Sequence, residues 1–151
     1  MAVKKIPDGY HSVTPYIVCE GVGKVIDFIV KAFDAREIDR MARPDGKVMH
    51  AEVKIGDSTI MFGEPLEPAK ARPGSVYMYV EDTDAVYKRA IEAGGKSVME
   101  PADQFYGDRN AGVTDQSGNY WWIATHIEDV SKEEISKRAE AHAKQHAGAH
   151  A

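Results

Sequence analysis

The sequence predicts an α+β fold in which two βαβββ modules form one cupped mixed sheet. The main observation is that one pattern of elements occurs twice, over residues 13–64 and again over residues 75–127. A second observation is the stretch 65–74 between them, which contains Pro65, Pro68 and Pro73 and is typical of a linker. A repeat whose apolar face is too large to bury alone packs against its neighbour. We therefore expect the two modules to enclose a cleft, which is where we look for function.

The first module follows an N-terminal arm, residues 1–12. Residues 13–19 are β-branched and aromatic and predict a strand. Apolar residues at helical spacing predict a helix over 22–33, and strands are expected over 37–41, 48–55 and 58–62. Alternation along 48–55 divides its side chains between two faces. We expect a helix to cover the face that consists of Met49, Ala51, Val53 and Ile55.

The second module begins with a strand over 75–81, and Asp82, Thr83 or Asp84 can cap the helix that follows. Two glycines at 94–95 end this helix. Strands are expected over 96–100, 111–114 and 119–126, with a polar aromatic loop over 101–110. Residues 128–151 are expected to form a C-terminal helix, over 128–141, and a tail, and Ser131 and Glu134 match a capping box.

Composition and charge exclude several classes of function. With 43% apolar and 28% charged residues the chain is an ordinary globular protein, and its net charge of −5 argues against a nucleic-acid or anionic-membrane surface. It has no apolar run near the roughly 20 residues of a membrane span, and we expect no secretory signal because residues 1–12 contain no apolar segment. The single Cys19 allows no internal disulfide. We expect a cytoplasmic protein with no nucleic-acid and no membrane partner.

His50 and Glu52 are the strongest candidates for chemistry. They lie two apart on a predicted strand, so both side chains point away from the helix and into the cup. A histidine beside a carboxylate can act as an acid or base, or hydrogen-bond a ligand. The alternative is a polar strand face in contact with water or a second subunit. As metal ligands the pair would need another histidine, for which His126 is the candidate.

Aromatic side chains at alternating positions are the next candidates. Tyr16, Tyr77, Tyr79, Tyr120 and Trp122 are expected to share the inner face of their strands. They predict an aromatic pocket for a flat or cationic ligand, although sheet core or a dimer interface would give the same pattern.

Further candidates lie in the polar loop over 101–110, in the first strand and near the C-terminus. Tyr106 and Arg109 belong to the polar loop, where Arg109 could clamp an anion or pair locally with Asp108. Cys19 is expected to be buried packing. Three histidines spaced by four could chelate a metal on one helix face, or simply belong to a frayed tail. They are His142, His146 and His150.

Several motifs resemble the vicinal-oxygen-chelate superfamily of glyoxalases, bleomycin-resistance proteins and extradiol dioxygenases, and within it the uncharacterised PhnB-like group. They include VTPYIV, IDFIVKAF, DGKVMHAEVKIGDSTIMFGE, VYMYVEDTDAV, EAGG, ADQFYGDR and DQSGNYWWIATHIEDV. The resemblance implies a cupped sheet, often completed by a homodimer. It also implies that a metal would be held near Thr14, Met61, Ser75 and Trp122. None of these is His, Glu or Asp, so we predict no metal at those positions.

The sequence thus predicts a protein that binds a small organic molecule in its cup, without the usual metal and as a homodimer. His50 and Glu52 are the candidates for any catalytic role. The predicted ligand-binding residues are Tyr16, His50, Glu52, Tyr77, Tyr79, Tyr106, Arg109 and Trp122. The alternative function is a metal-dependent lyase or dioxygenase with a divalent metal at a non-standard His/Glu site. A structural or interaction protein with no small ligand is the third class.

Overall fold

The computed structural model of the protein describes residues 2–147, which form two four-stranded mixed sheets and three α-helices. This confirms the α+β fold class. The first module consists of β1 (Tyr16–Val18), α1 (Val22–Phe33), β2 (Arg36–Ala42), β3 (Val48–Ile55) and β4 (Ser58–Gly63). A short 3₁₀ turn, Pro68–Lys70, leads to the second module. That module and the C-terminal helix consist of β5 (Ser75–Tyr79), α2 (Thr83–Glu92), β6 (Lys96–Asp103), β7 (Asp108–Thr114), β8 (Tyr120–His126) and α3 (Lys132–Ala147).

The two sheets have the same topology. Their strand orders are β1-β4-β3-β2 and β5-β8-β7-β6, and in each the first strand pairs in parallel with the last. All other pairs are antiparallel. In register, Tyr16 lies opposite Met61 and Tyr77 lies opposite Trp122. The repeat in the sequence is therefore a repeat in the structure.

Both modules contribute to one hydrophobic core. Helix α1 presents a wide apolar stripe, because Val22, Val25, Ile26 and Ile29 recur at helical spacing and all are buried. At the end of α1 the Phe33 ring lies 5.5 Å from the ring of Trp121 in β8, centroid to centroid. Trp121 has no exposed surface. The second module thus packs against the helix of the first.

Strand β3 departs from the predicted alternation at one residue. Ala51 and Val53 are fully buried as expected, and Ile55 packs partly against the core. The prediction for Met49 is wrong, since this side chain is 46% exposed while Val48 is buried. The pairing with β2 shifts here: Met41 faces His50 but the next residue, Ala42, faces Val48. Met49 is therefore the extra residue of a β-bulge, which changes the faces on which its neighbours lie.

The predicted loop over 101–110 is also wrong, because most of it is strand. Strand β6 continues to Asp103 and β7 begins at Asp108, which leaves only residues 104–107 as the connection. Cross-strand pairing of Asp103 with Arg109 and of Ala102 with Asn110 holds the two strands together. Polar composition hid this pairing, since one face of the hairpin carries a polar cluster rather than apolar side chains.

The helices begin close to the predicted residues. Of the three candidate caps of α2, Asp82 is the one used, and its carboxylate accepts a hydrogen bond from the Ala85 N–H at 3.1 Å. Ser131 Oγ accepts from the Glu134 N–H at 3.2 Å before α3, which extends beyond the predicted end to Ala147. None of the helices between residues 2 and 147 is long and apolar enough to cross a membrane.

Candidate functional site

The first sheet carries a polar group on the face opposite α1, which we call the Glu52 cluster: Tyr10, Tyr16, His50 and Glu52. The Tyr10 hydroxyl donates to Glu52 Oε2 at 2.5 Å, and His50 Nε2 lies 3.5 Å from Glu52 Oε1. The His50 and Tyr16 rings are 5.9 Å apart. The hydrogen bond to Glu52 raises the pKa of Tyr10. The prediction that His50 and Glu52 point away from the helix is confirmed, and Tyr10 is a partner from the N-terminal arm that we did not predict.

The second sheet carries a larger polar group, which we call the Asp108 cluster: Tyr77, Tyr79, Tyr106, Asp108, Asn110 and His126. Its centre is the Asp108 carboxylate, which is 5% exposed. Asp108 Oδ2 accepts from the hydroxyls of Tyr77 at 2.7 Å and Tyr79 at 3.0 Å. Asp108 Oδ1 lies 3.0 Å from Nδ1 of His126. Tyr77 and Tyr79 are two residues apart in edge strand β5, so both side chains lie on the same face of the sheet. One buried carboxylate can therefore accept a hydrogen bond from both hydroxyls.

Asn110 extends this network to the loop. Its Nδ2 donates to the hydroxyls of Tyr77 at 3.1 Å and Tyr106 at 2.7 Å. The single Tyr77 hydroxyl proton goes to Asp108, so Tyr77 accepts from Asn110, which fixes the orientation of the amide. Asn110 Oδ1 is then buried without a hydrogen-bond partner among residues 2–147. Buried polar atoms without partners are rare in proteins.

Electrostatics keeps Asp108 ionised and the phenols neutral. Burial alone would raise the pKa of Asp108, but hydrogen bonds from His126, Tyr77 and Tyr79 outweigh it, and the pKa is lowered. Burial, together with the hydrogen bond to Asp108, holds the pKa of Tyr77 far above its ordinary value. Hydrogen bonds to Asp108 and to Asp129 raise the pKa of His126. At neutral pH the cluster therefore contains an ionised Asp108 that accepts hydrogen bonds from two neutral tyrosine hydroxyls.

Beside this cluster, Trp122 lies flat on the sheet. A Cβ on Gly112, the residue opposite Trp122 in β7, would stand 2.5 Å from the indole Cζ3. The absence of a side chain at Gly112 thus allows one indole face to rest on the backbone. The Tyr120 ring is stacked beside it at 6.2 Å with an interplanar angle of 21°, and the indole Nε1–H donates to Ser75 Oγ at 3.2 Å. The arrangement is an aromatic platform on the same face of the sheet as Asp108.

A cavity of about 840 Å³ opens between the N-terminal arm, the β3–β4 hairpin, β5 and the start of α2. Tyr77 and Tyr79 of the Asp108 cluster line it, and so does Tyr10 of the Glu52 cluster. Phe33 and Met78 are among the apolar side chains of its wall. This cavity therefore borders both clusters through their tyrosines, and its lining includes neither Glu52 nor Asp108.

The structure places seven of the eight predicted ligand residues in three locations, and the eighth, Arg109, elsewhere. Tyr16, His50 and Glu52 belong to the Glu52 cluster, and Tyr77, Tyr79 and Tyr106 belong to the Asp108 cluster. Trp122 forms the platform beside the latter. No hydrogen bond within the described range joins the two clusters.

Arg109 lies apart from these groups. Its guanidinium donates to Asp84 at 2.6 and 2.8 Å and to Asp103 at 3.0 Å, rather than to Asp108 as the sequence suggested. Strand alternation explains the error: Asp108 and Arg109 are adjacent in β7, so their side chains point to opposite faces. The anion clamp at Arg109 stays a prediction, with its donors here engaged by carboxylates.

Sequence reasoning missed Asp108 and Asn110 as site residues. Both lie in the segment predicted as loop, so their spacing carried no directional information. With that segment as a strand, Asp108, Asn110 and Gly112 alternate onto one face, opposite the buried Ala111 and Val113. Residues 108–113 do alternate between two faces. Because the side chains on one of those faces are polar, the alternation does not have the apolar/polar pattern that identifies a strand.

The remaining candidates concern metals and thiols. Ser75 and Trp122, two of the positions expected to hold a metal in relatives, hydrogen-bond each other, and an indole N–H offers no lone pair to a cation. Across residues 2–147 no three His, Cys, Asp or Glu side chains are grouped to hold a metal ion.

Cys19 is fully buried and burial raises its pKa, as expected for packing. The His142 and His146 rings lie 4.2 Å apart on α3, and His150 lies outside the described residues.

Comparisons with known proteins agree with this architecture. An uncharacterised protein of Mycobacterium bovis is 34% identical over 135 residues, covering 82% of this chain and 89% of that protein. An uncharacterised protein of Mycobacterium tuberculosis shows the same identity over 82% of this chain and 79% of its own length. Among solved structures, TioX from Micromonospora sp. ML1 superposes with a TM-score of 0.66 at 22% identity, over 78% of this chain and all of TioX.

A PhnB protein from Bacillus cereus superposes with a TM-score of 0.62 at 16% identity, over 76% of this chain and 99% of that protein. At such identities the likeness shows the fold alone. The sequence profile of the Glyoxalase/Bleomycin resistance protein/Dioxygenase superfamily matches residues 10–123, which cover the first module, most of the second module and every cluster residue except His126. The chain therefore belongs to the glyoxalase/bleomycin resistance protein/dioxygenase superfamily.

Proposed function

We propose that this protein binds a small organic molecule in the cavity beside Tyr77 and Tyr79, without a metal ion. The observation that carries the proposal is that both phenols border an open cavity of about 840 Å³ while a buried carboxylate holds their hydroxyls. Ligand pockets in proteins typically measure roughly 300–1,000 Å³ and combine apolar walls with a few fixed polar groups. The cavity fits both criteria.

The network behind the cavity favours a preorganised binding surface. Asp108 accepts three hydrogen bonds and the pKa of Tyr77 is raised, so the phenols are held as neutral groups in fixed orientations. A side chain fixed before binding loses little conformational entropy when the ligand arrives. The Tyr10 hydroxyl, bound to Glu52, offers a further fixed polar group from another lining residue of the cavity.

The proposal is tested by thermal shift against a library of aromatic and aliphatic metabolites. A ligand present at 100 times its Kd stabilises the native state by about 2.7 kcal/mol, which is a measurable rise in Tm. Tyr79→Phe should reduce the Tm rise caused by any hit, because it removes a hydroxyl that borders the cavity. Tyr87→Phe is the matched control, since Tyr87 lies on α2 and its hydroxyl bonds only the exposed Ser97 of β6. Equal loss in both variants would contradict the proposed location.

The Glu52 cluster is proposed as a second contact of the same ligand. His50→Ala should weaken binding and leave the fold intact, because the His50 side chain lies opposite the buried residues Ala51 and Val53. The competing function, a metal-dependent lyase or dioxygenase, is favoured by the 3.5 Å approach of His50 to Glu52. Metal analysis of protein purified without a nickel column separates the two. About one equivalent of metal, removed by Glu52→Ala, would establish the metal-dependent function instead.

A further inference from the structure

We propose that the molecule bound in this cavity is an apolar carboxylate, with its charged group on the Arg89 guanidinium and its apolar body against Phe33, Ile60 and Val86. This inference rests on the proposed function, because it names the chemical class of the ligand in the same cavity. The observation that carries it is that Arg89 lines the cavity with one edge of its guanidinium unpaired among residues 2–147.

Arg89 brings a positive charge to the cavity wall. It lies three residues after Val86 on α2, so the two side chains share one face of the helix, and both line the cavity. Among the described residues Arg89 is the only lysine or arginine of this lining. Its side chain is 43% exposed, whereas Val86 beside it is buried. The guanidinium is therefore accessible to a ligand and adjoins an apolar surface.

The hydrogen bonds of Arg89 leave room for a second partner. Nη1 donates to Asp34 Oδ2 at 3.1 Å, and within residues 2–147 this is the one hydrogen bond of the side chain. Nε and Nη2 lie on the other edge, which can donate two parallel hydrogen bonds to a carboxylate. Asp34 is 77% exposed and does not line the cavity. Because exposed ion pairs contribute little, Asp34 is a weak competitor for the guanidinium.

Other arginines of this protein show how that edge is normally used. Arg40 donates from Nε and Nη2 to Glu37 at 2.6 and 3.0 Å. Arg109 donates from the same two nitrogens to Asp84 at 2.6 and 2.8 Å. A ligand carboxylate at Arg89 would make the pairing that these two arginines already have with side chains of the protein.

The apolar part of the argument comes from the side chains around Arg89. Phe33, Ile60 and Val86 are buried residues of the hydrophobic core that also line the cavity. The partly buried Met78 packs against the same core and lines the cavity as well. Removal of an apolar body from water against such a wall favours binding. With a volume of about 840 Å³, the cavity has room for a ring system or an alkyl chain beside the carboxylate.

Asp57 is the opposing charge of the lining, and its position makes it the weaker one. It lies in the turn between β3 and β4, is exposed, and accepts a hydrogen bond from Ser58 Oγ at 2.7 Å. Water and salt screen a charge in such a turn. Arg89 adjoins buried apolar side chains, where the lower dielectric strengthens an ion pair. The cavity therefore favours an anionic over a cationic ligand.

The test uses four probes: 2-naphthoate, decanoate, naphthalen-2-ylmethanol and naphthalen-2-ylmethylammonium. Isothermal titration with the full-length protein should show at least one carboxylate binding roughly tenfold more tightly than the alcohol, the scale of a hydrogen bond to a charged group. The cation should bind more weakly than the alcohol. Raising NaCl from about 50 to about 500 mM should weaken the carboxylate and leave the alcohol unchanged. The two carboxylates distinguish an aromatic from an aliphatic body.

Arg89→Gln should lower the affinity for the carboxylate roughly tenfold and leave that for the alcohol within about twofold. Arg89→Lys keeps the charge without the two-pronged edge, so its carboxylate affinity should lie between those of the wild type and Arg89→Gln. Arg40→Gln is the matched control. It also breaks one exposed ion pair, with Glu37, but Arg40 does not line the cavity.

Asp34→Asn tests the shared guanidinium from the other side. This change should raise the affinity for the carboxylate, because it removes the negative charge beside Arg89. Asparagine tolerates the left-handed backbone of Asp34, which has a φ of 55°, so the end of α1 is retained. A lower carboxylate affinity in this variant would contradict the proposed pairing.

The outcomes separate the inference from the function on which it rests. Equal or tighter binding of the alcohol or the cation overturns the carboxylate class while leaving small-molecule binding in place. A carboxylate affinity that Arg89→Gln does not change overturns the assigned position. Failure of both carboxylates to bind also overturns the inference, whatever the metabolite library shows. Failure of all four probes together with the absence of any library hit overturns the proposed function itself.

Discussion

At the scale of single residues, the contact between Gly112 and Trp122 shows how a missing side chain builds a surface. A methyl group at this position would meet the indole carbons at 2.5 to 3.2 Å, closer than van der Waals contact allows. Neither the strand backbone nor the indole, which is bonded to Ser75, can move without breaking other interactions.

Gly112→Ala should therefore lower the free energy of unfolding by about 1–3 kcal/mol, the typical cost of overpacking. It should also change the tryptophan fluorescence, because the indole must leave the sheet. Gly23→Ala is the matched control: Gly23 lies within α1, where the added Cβ meets only the flexible Arg40 guanidinium at 3.6 Å. It should raise stability by about 0.5–1 kcal/mol, since alanine favours helix. Urea unfolding measures both, and a neutral Gly112→Ala would contradict the packing described.

His126 makes the stability of the second sheet depend on pH. Its pKa in the folded state is raised by Asp108 and Asp129 above the ordinary value of roughly 6.5. Protonated His126 therefore favours the folded state. That contribution is complete below the unfolded pKa, and is lost as pH rises through the raised pKa of the folded state.

The Tm of the wild type should exceed that of His126→Ala most at pH 5–6, and the difference should shrink above neutral pH. Thermal melts between pH 5 and 9 measure it. His11→Ala, which removes an exposed histidine of the arm, should show no such trend. A difference that stays constant across this range would mean that His126 acts by packing and not by charge.

At the scale of elements, the β7–β8 turn is organised by one buried aspartate. Asp115 accepts from the backbone N–H groups of Ser117 and Asn119, from the Asn119 amide, and from Trp121 Nε1 at 2.8 Å. Asn119 in turn donates to Cys19 Sγ at 3.7 Å. The turn thus connects the second sheet to the end of β1.

Asp115→Ala should lower the free energy of unfolding by about 3 kcal/mol, because it leaves several buried donors, among them the Trp121 indole, without an acceptor. Asp57→Ala in the β3–β4 turn is the control, since Asp57 bonds only Ser58 and is exposed. That change should stay within about 0.5 kcal/mol, as is usual for surface substitutions. Chemical denaturation distinguishes the two, and equal effects would contradict the role of Asp115.

The elements also show what the sequence could predict. Helix α1 and strand β3 were predicted with their observed bounds, because a strong periodicity and turn residues define both. The hairpin β6–β7 was not, since its inward face is polar and its polar cluster concealed the alternation. Met49 was assigned to the wrong face because a β-bulge depends on pairing with β2, a non-local contact that period-two reasoning does not contain. Asp108 and Asn110 were missed as site residues for the first of these reasons.

At the scale of the whole molecule, exposed apolar side chains remain on the first sheet. Tyr16 and Met41 are each 54% exposed, and Met49 is 46% exposed, all on or beside the face that carries the Glu52 cluster. We propose that a second copy of the chain covers this surface in a symmetric homodimer, since self-association buries the same patch on both partners.

Sedimentation equilibrium at micromolar concentration should then give twice the chain mass of 16.6 kDa. Met41→Glu should shift the protein toward the monomer, because it places a charge in the proposed interface. Val3→Glu is the control, as Val3 is 84% exposed in the N-terminal arm. A monomeric wild type would contradict the dimer and leave the folded core unaffected.

The contact between Phe33 and Trp121 joins the two halves in a way that concerns how the protein can change over evolutionary time. Trp121 and Trp122 are consecutive in β8, so one indole faces the core and the next faces the aromatic platform. A substitution at Phe33, in the first module, would change the packing around the strand that carries both. The proposed ligand surface of the second module is thus connected to the core packing of the first, so each half of the repeat constrains the substitutions that the other can accept.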